Sequence, residues 1–293
     1  FLKFSKVRVI GFDRDNHVVS IARALEKKFK ERFRFFQLKF SQVDSVLKNR
    51  VDFIVFDLGI SSIQLNNLKR GFSFKSKEKL DMTMGLCHTS AEEVINNLSE
   101  KQLKKIIKIL GEEQEASKIA KNIVKFRSVK KITRVDELVK IIEKSKKKIS
   151  GSKINPSTKT FQALRIFVNK EITELMNGIV VATKYLKPGG KILTVSFHSI
   201  EDKIVKFFFK NFSMNRSKPS RYLPENNSDS FNLFEKYNNK IIKPSSKELS
   251  KNYRSRSAKL RYATRSKNEF IFPKNLFQKF NKYLDVEAIN VEC

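Results

Sequence analysis

The sequence predicts an α/β protein whose core is an open, largely parallel sheet interrupted by a run of helices. Two observations predict this class. Short apolar segments alternate with amphipathic ones from Val7 to Leu58, and residues 89–150 have helical periodicity without a strand. The alternation is typical of a parallel, doubly wound sheet, so we interpret the strand-free run as a helical insertion.

Length and composition limit the possible functions. The 293 residues, 40% of them hydrophobic, suffice for one large domain or for a core domain with an inserted one. Lys and Arg number 61 against 30 Asp and Glu, a formal net charge of +31. This excess favours a polyanionic partner, most simply nucleic acid, although a generally lysine-rich proteome would also produce it.

The cysteines and histidines predict neither a disulfide framework nor a metal site. Cys87 and Cys293 have no zinc-site spacing, and the histidines are His17, His88 and His198. Few cysteines fit a reducing, cytoplasmic setting. We expect no membrane association, because no apolar run reaches membrane-spanning length and no signal peptide is evident.

The first elements alternate between strand and helix. We predict strands at Val7–Asp13, Phe33–Leu38 and Val51–Leu58, with helices at Asp15–Lys30 and Ser41–Lys48. The apolar run of the third strand indicates that it is buried. Gly59–His88 has no clean period and predicts a long loop, which its Phe and Met residues indicate is ordered.

Capping boxes mark the start of the helical run. Ser90 with Glu93 and Ser99 with Gln102 each precede apolar residues at helical spacing. The second half then predicts one helix over Thr158–Leu186, a turn at 187–190, a strand at Lys191–Phe197 and a helix at Ile200–Phe212. Residues 214–239 show no clear element, and Ala258–Thr264 predicts an edge strand.

These elements predict four segments. Residues 1–88 form the first part of the core, 89–155 the helical insertion, 156–267 the second part of the core with a basic RNA-binding segment, and 268–293 a C-terminal extension.

Polar residues follow several predicted strands. Ligands of open α/β sheets bind at the carboxyl edge of the strands, so we predict that Asp57 and the loop after it form the floor of an active site; the alternative is an ordinary turn. Asp13 suits the hydroxyls of a ribose, whereas Asp15 suits a helix N-cap. Phe40 suits either a purine ring or core packing.

Two later segments also offer polar side chains. His198 lies with Glu201 and Asp202 after the fourth strand, as a substrate contact or as a structural donor. The basic segment covers residues 240–267. Within it, Arg254, Arg256 and Arg261 suit phosphates, and Tyr253 or Tyr262 suits stacking on bases.

A set of motifs then carries a resemblance. In order along the chain they are DRD at 13–15, FDLGISSIQL at 56–65, RGFSF at 70–74, LDM at 80–82, GEE at 111–113, TFQALRIFVN at 160–169, LKPGGKILTVSFHSIED at 186–202 and RSRSAKLR at 254–261. Together they resemble the bacterial 16S ribosomal RNA cytosine-N(4) methyltransferase family (RsmH, also called MraW).

The resemblance implies a Rossmann-like, S-adenosylmethionine-dependent methyltransferase core with an inserted helical domain. The implied substrate is the N(4) amine of a cytidine in the decoding region of 16S rRNA, within the small ribosomal subunit. The implied cofactor contacts are Asp13, Phe40, Asp57 and Gln64. Asp57 is then the candidate acceptor for the amine; Ser61 and Ser62 face the base, which Phe72 and Phe74 would hold.

One departure from the family pattern stands out. The family has a first strand and a glycine-rich loop of G-x-G-G-H type, which this sequence lacks, and Phe1 lies just before the second family strand. We therefore expect an N-terminally truncated core. An alternative is a catalytically impaired, basic RNA- or ribosome-binding protein on a degenerate methyltransferase fold. The oligomeric state stays open between monomer and homodimer.

Overall fold

A computed structural model describes residues 1–87, 89–146, 155–214 and 232–291. His88, Cys293 and most of the basic stretch 144–153 lie outside these ranges. The fold is mixed α/β, as predicted, and divides into two compact units. Unit 1 comprises Phe1–Lys39, Ile60–Thr173 and Lys282–Cys293, and unit 2 comprises Phe40–Gly59 and Glu174–Asn281.

Unit 1 begins with the predicted strand–helix–strand order: β1 (Val9–Phe12), α1 (Asn16–Phe29) and β2 (Phe33–Phe36). The two strands are parallel, with Phe12 opposite Phe36. Ala22 of α1 shares a buried apolar cluster with residues of β2. Because parallel strands end at the same edge of a sheet, Asp13 follows β1 at the edge where β2 also ends.

Helices make up most of the rest of unit 1. They are α2 (Ser62–Asn66), α3 (Ala91–Asn97), α4 (Glu100–Leu110), α5 (Ala116–Arg127), α6 (Val135–Ser145) and α7 (Thr158–Asn169). The predicted capping boxes at Ser90 and Ser99 are confirmed. The apolar face of α4 is buried and packs against α5 and α7.

The long segment between Ile60 and Cys87 is ordered, as its aromatic and methionine residues indicated. Phe72, Met82 and Met84 are buried. Backbone hydrogen bonds tie this segment to the start of α6, including one from the Leu80 N–H to the Thr133 carbonyl at 3.0 Å. At Gly85, with φ +74°, a Cβ would lie 2.4 Å from the Arg14 carbonyl oxygen, so only glycine fits.

The prediction of one helix over 158–186 is wrong. α7 ends at Asn169 and α8 (Glu171–Lys184) begins two residues later, because Lys170 has a left-handed backbone with φ 51°. Glu287 explains the break. Its carboxylate accepts hydrogen bonds from the N–H groups of Ile172 at 2.9 Å and Thr173 at 2.8 Å. These N–H groups would otherwise bond to carbonyls of a continuous helix.

Unit 2 contains a four-stranded sheet in the order β3–β4–β6–β5. The strands are β3 (Val51–Asp57), β4 (Leu186–Ser196), β5 (Phe234–Tyr237) and β6 (Lys259–Arg265). β3 and β4 are parallel, whereas β6 is antiparallel to both neighbours. The predicted parallel arrangement therefore holds for β1–β2 and β3–β4 and fails for the last two strands.

Three strand predictions need correction. β3 is not buried, since Phe53 is 61% exposed and the strand lies at the end of its sheet with a described partner on one side only. β6 is not an edge strand, because β5 pairs with its other side. β5 itself lies in the segment for which we predicted no element, where its four residues are too few for a clear pattern.

The remaining helices are α9 (Ser199–Asn211), α10 (Ser246–Lys251) and α11 (Lys274–Glu287). α9 confirms its prediction, whereas α11 forms in the extension where the sequence signal was weak. α7, which we assigned to the second part of the core, packs against α3 and α4; the four-segment division stays a prediction. Within the described ranges, no helix has the length and apolar character needed to cross a bilayer.

Candidate functional site

The predicted site residues fall into two groups, one in each unit. Asp13, Ser61, Ser62, Gln64, Phe72 and Phe74 belong to unit 1. Phe40, Asp57, His198, Arg254, Arg256 and Arg261 belong to unit 2. Each group has its own geometry and chemistry.

In unit 1, the turn after β1 separates the roles of its two acids. The Asp15 carboxylate accepts a hydrogen bond from the His17 N–H at 3.0 Å and caps α1, as predicted. Asp13 stays exposed, and its Oδ1 accepts a bond from the Asp15 N–H at 2.8 Å. Partial desolvation by the protein, together with the nearby Asp15 carboxylate, raises the pKa of Asp13.

Asp15 is also the centre of a network that the sequence did not predict. It is 1% exposed, and its Oδ2 accepts hydrogen bonds from Gln64 Nε2 at 2.7 Å and from Arg70 Nη1. Arg70 is buried as well, and its Nη2 donates to the Thr83 carbonyl at 2.7 Å. Although burial acts to raise it, the hydrogen bonds from Arg70, His17 and Gln64 hold the pKa of Asp15 below its usual range.

Gln64 and Ser61 form a capping box at the start of α2. Gln64 Oε1 accepts a bond from the Ser61 N–H at 2.8 Å, and the Ser61 hydroxyl accepts one from the Gln64 N–H at 3.2 Å. The Gln64 amide is therefore held at both ends, by Asp15 and by Ser61. Ser62 is the exposed first residue of the helix.

The two aromatic residues predicted to hold a base pack within unit 1. Phe72 is 6% exposed, and the Arg70 guanidinium lies 5.3 Å from its ring centroid. Phe74 is half-buried and meets Phe161 edge to face, with ring centroids 6.4 Å apart. Of the two rings, Phe74 therefore retains more surface for a ligand.

In unit 2, Asp57 is the last residue of β3, as predicted. Its carboxylate is exposed and makes no hydrogen bond to another residue of the described ranges. Partial desolvation and the nearby Glu201 carboxylate raise its pKa. Gly59 follows with φ +83°, and a Cβ there would lie 3.3 Å from the Phe197 ring.

Phe40 packs inside unit 2. Its ring meets Phe56 edge to face at 5.3 Å between centroids. A Cβ on Gly178 of α8 would lie 2.4 Å from a Phe40 ring carbon. The half-buried ring therefore has a fixed position against α8, as the core-packing alternative requires, and the other alternative, a contact with adenine, stays a prediction.

His198 occupies a structural position at the start of α9. Its ring caps the helix, with Nδ1 3.5 Å from the Glu201 nitrogen, and Nε2 lies 3.1 Å from the Glu201 carboxylate. Glu201 is itself buried and accepts a bond from the Phe197 N–H at 2.8 Å. The ring is therefore an acceptor in the helix cap, which gives His198 a structural position but not the donor role that we predicted as an alternative.

The predicted phosphate-binding arginines differ in exposure. Arg261 is 2% exposed, and its Nε donates to Asp202 at 2.7 Å. It therefore faces the interior rather than a phosphate, which corrects our prediction for this residue. Arg254 and Arg256 are exposed, and the Arg256 guanidinium lies 4.7 Å from the ring centroid of Tyr253.

Comparison with known proteins gives these sites a family. The MraW methylase family matches residues 1–266. The chain is similar to ribosomal RNA small subunit methyltransferase H of Bartonella grahamii (strain as4aup), with 43% identity over 89% of this chain and 78% of that protein. It is also similar to the protein of the same name from Ehrlichia canis (strain Jake), with 42% identity over 89% of this chain and 86% of that protein.

The resemblance seen in the motifs is thereby confirmed. The matched region contains the strand-end acids of both units, the Asp15 network and the exposed arginines, and it ends before α11. The chain belongs to the MraW methylase family.

Proposed function

We propose that this protein transfers a methyl group from S-adenosylmethionine to the N(4) amine of a cytidine in the decoding region of 16S rRNA. The observation that carries the proposal is the family match over residues 1–266. The relatives, each named a small-subunit ribosomal RNA methyltransferase, support the RNA class of substrate. They do not favour the alternative of a non-enzymatic RNA-binding protein.

The residues of unit 1 fit one part of the cofactor. The exposed Asp13 carboxylate has acceptor capacity beyond its bond to the Asp15 N–H, as a ribose diol requires. Gln64 presents an amide whose orientation is fixed. In unit 2, Phe40 is the aromatic residue proposed for the adenine. When bound, S-adenosylmethionine supplies an electrophilic methyl group on a sulfonium.

Asp57 is the proposed acceptor for the target amine. The cytosine amine is a poor nucleophile, because its lone pair is delocalised into the ring. An acceptor for its N–H protons draws off positive charge as the new bond forms. The raised pKa of Asp57 improves the match between this carboxylate and the proton it would receive. Ser61 and Ser62 stay proposed contacts to the base.

The exposed part of the basic segment is the proposed RNA contact. Tyr253 is 71% exposed and is stacked by Arg256, with Arg254 also exposed. A tyrosine ring with a guanidinium group against it, in a basic segment, suits an unpaired base next to its phosphates. The target cytidine has to leave its stack to reach an active site; Phe72, Phe74 and His198 stay proposed contacts for it. We place the reaction in the cytoplasm.

Replacement of Asp57 tests the proposed chemistry. In the full-length protein, Asp57→Ala should abolish transfer of labelled methyl groups from S-adenosylmethionine to small-subunit rRNA. Asp52→Ala is the matched control, because Asp52 is an exposed acid on the same strand. Mapping of the methylated position in the wild-type product tests the choice of cytidine N(4). Wild-type rates in Asp57→Ala would contradict the role of this residue, and methylation elsewhere would contradict the substrate.

A further inference from the structure

Arg70 and Asp15 form a buried ion pair whose role goes beyond capping α1. Both side chains are removed from water, at 6% and 1% exposure. Two charges are costly to bury, so a pair that only stabilised the fold could be replaced by apolar residues at little cost. This pair instead has specific polar partners at both ends: Gln64 at Asp15, and the Thr83 carbonyl at Arg70.

The geometry makes Gln64 depend on Asp15. Gln64 Nε2 donates to Asp15 Oδ2, and Gln64 Oε1 accepts from the Ser61 N–H. With one donor and one acceptor site committed, the amide plane of the buried Gln64 is fixed, and one N–H and one lone pair have no partner among the described residues. Without the Asp15 carboxylate, the amide nitrogen would lose its acceptor, and the amide would be held only at its oxygen, by the Ser61 N–H.

Arg70 in turn fixes Asp15. Its two terminal nitrogens bridge the carboxylate and the Thr83 carbonyl, and its guanidinium lies over the Phe72 ring at 5.3 Å. A guanidinium holds two acceptors in one plane, which a lysine ammonium does not. Arg70 therefore holds Asp15, and Asp15 holds Gln64, and all three residues belong to unit 1.

We propose that Asp15 and Arg70 are positioning residues that hold the Gln64 amide in the orientation needed to bind S-adenosylmethionine. The proposal rests on the proposed function, in which Gln64 contacts the cofactor. In this proposal Arg70, the first residue of the RGFSF segment at 70–74, contributes to cofactor affinity without touching the cofactor.

A double-mutant cycle tests the proposal. The dissociation constant of S-adenosylmethionine is measured by calorimetry for the wild type, Asp15→Asn, Gln64→Ala and the double variant, all as full-length protein. We expect each single change to weaken binding about tenfold, the size of one lost hydrogen bond to a ligand. In the Gln64→Ala background, Asp15→Asn should weaken binding less than about twofold, because its effect passes through Gln64.

The outcomes separate the possible explanations. Equal losses from Asp15→Asn with and without Gln64 would overturn the proposal and assign a merely structural role. Failure of the wild type to bind S-adenosylmethionine would overturn the proposed cofactor as well. If Asp15→Asn does not fold, the same cycle with Arg70→Lys decides, with coupling to Gln64 supporting the proposal and additivity overturning it. Arg23→Ala, on the exposed face of α1, should leave binding unchanged.

Discussion

The two strand-end acidic turns of this protein are built in opposite ways. In unit 1, Asp15 is buried and held by hydrogen bonds from Arg70, Gln64 and His17. In unit 2, Asp57 is exposed, and its surroundings are shaped by apolar packing, with Gly59 against Phe197. The difference teaches that an aspartate after a strand can be a buried, hydrogen-bonded group or an exposed carboxylate available for the reaction we propose, and that its hydrogen-bond partners distinguish the two.

The largest expected effect is at the buried Asp15. Asp15→Ala leaves the Arg70 guanidinium buried without its carboxylate, which should lower the free energy of unfolding by about 3–5 kcal/mol. Urea denaturation measures this loss. The exposed Arg23–Glu26 ion pair provides the control, since Arg23→Ala should cost less than about 1 kcal/mol. Equal losses of unfolding free energy in the two variants would contradict the distinction between the buried Asp15–Arg70 pair and the exposed Arg23–Glu26 pair.

Glu287 is a second buried acid, and its pKa shows the effect of burial without a cation bonded to the carboxylate. Burial raises the pKa of Glu287 from 4.5 to about 7, and Lys170 donates to its backbone carbonyl rather than to its carboxylate. The folded state therefore keeps a proton that the unfolded state has lost between these pH values. The resulting stabilisation is complete below pH 4.5 and disappears as the pH rises through about 7.

This linkage predicts a loss of about 3 kcal/mol of unfolding free energy between low and high pH. Denaturant titrations at pH 5 and pH 8 measure it. Glu287→Gln, which does not titrate, should lack this part of the pH dependence. If the free energy of unfolding changed with pH equally in the wild type and Glu287→Gln, the Glu287 carboxylate would be ionised throughout this pH range. Burial would then not raise its pKa as described.

The apolar packing of unit 2 predicts a reversal of a familiar rule. Glycine to alanine inside a helix normally stabilises by about 1 kcal/mol. Gly178→Ala should instead destabilise by about 1–3 kcal/mol, because the new Cβ would overlap the Phe40 ring. Thermal unfolding gives the sign. Adding Phe40→Leu to Gly178→Ala should recover part of the loss, and strictly additive effects would argue against this contact.

The smallest expected effect on stability is at the proposed reactant. Asp57→Asn should leave the free energy of unfolding within about 0.5 kcal/mol of wild type, since the side chain is exposed. The same change should eliminate methyl transfer. A large loss of stability would place Asp57 with the buried, hydrogen-bonded groups. Urea denaturation and a methyl-transfer assay on one preparation test both statements.

The sequence predicted correctly those elements that are determined by residues within a few positions of one another. The strand–helix–strand order of β1, α1 and β2 and the two capping boxes follow from spacing within a few residues. The break at Lys170 could not be predicted, because Glu287, 117 residues away, takes the N–H groups that would continue the helix. β6 was predicted as an edge strand because the short β5 beside it gave no pattern.

The site residues also divide into those that the sequence could predict and those that depend on tertiary contacts. Strand ends and the family resemblance pointed to Asp13, Asp57 and Gln64, since position along a strand is visible in the sequence. The role of Arg70 was not predicted, because only tertiary structure reveals which carboxylate a buried arginine meets. Arg261 shows the converse error: it lies among exposed basic residues in the sequence, yet its side chain pairs with Asp202 in the interior.

The separation of Asp15 and Arg70 has a consequence for folding kinetics. These residues lie 55 positions apart, so closing their contact carries a larger entropy cost than any turn or cap within unit 1. During synthesis at roughly 5–20 residues per second, Asp15 leaves the ribosome several seconds before Arg70. Asn169, which bonds to the backbone of Met84, emerges later still. We therefore expect the turn of unit 1 that we propose to bind the cofactor to become rigid only after most of the chain has been made.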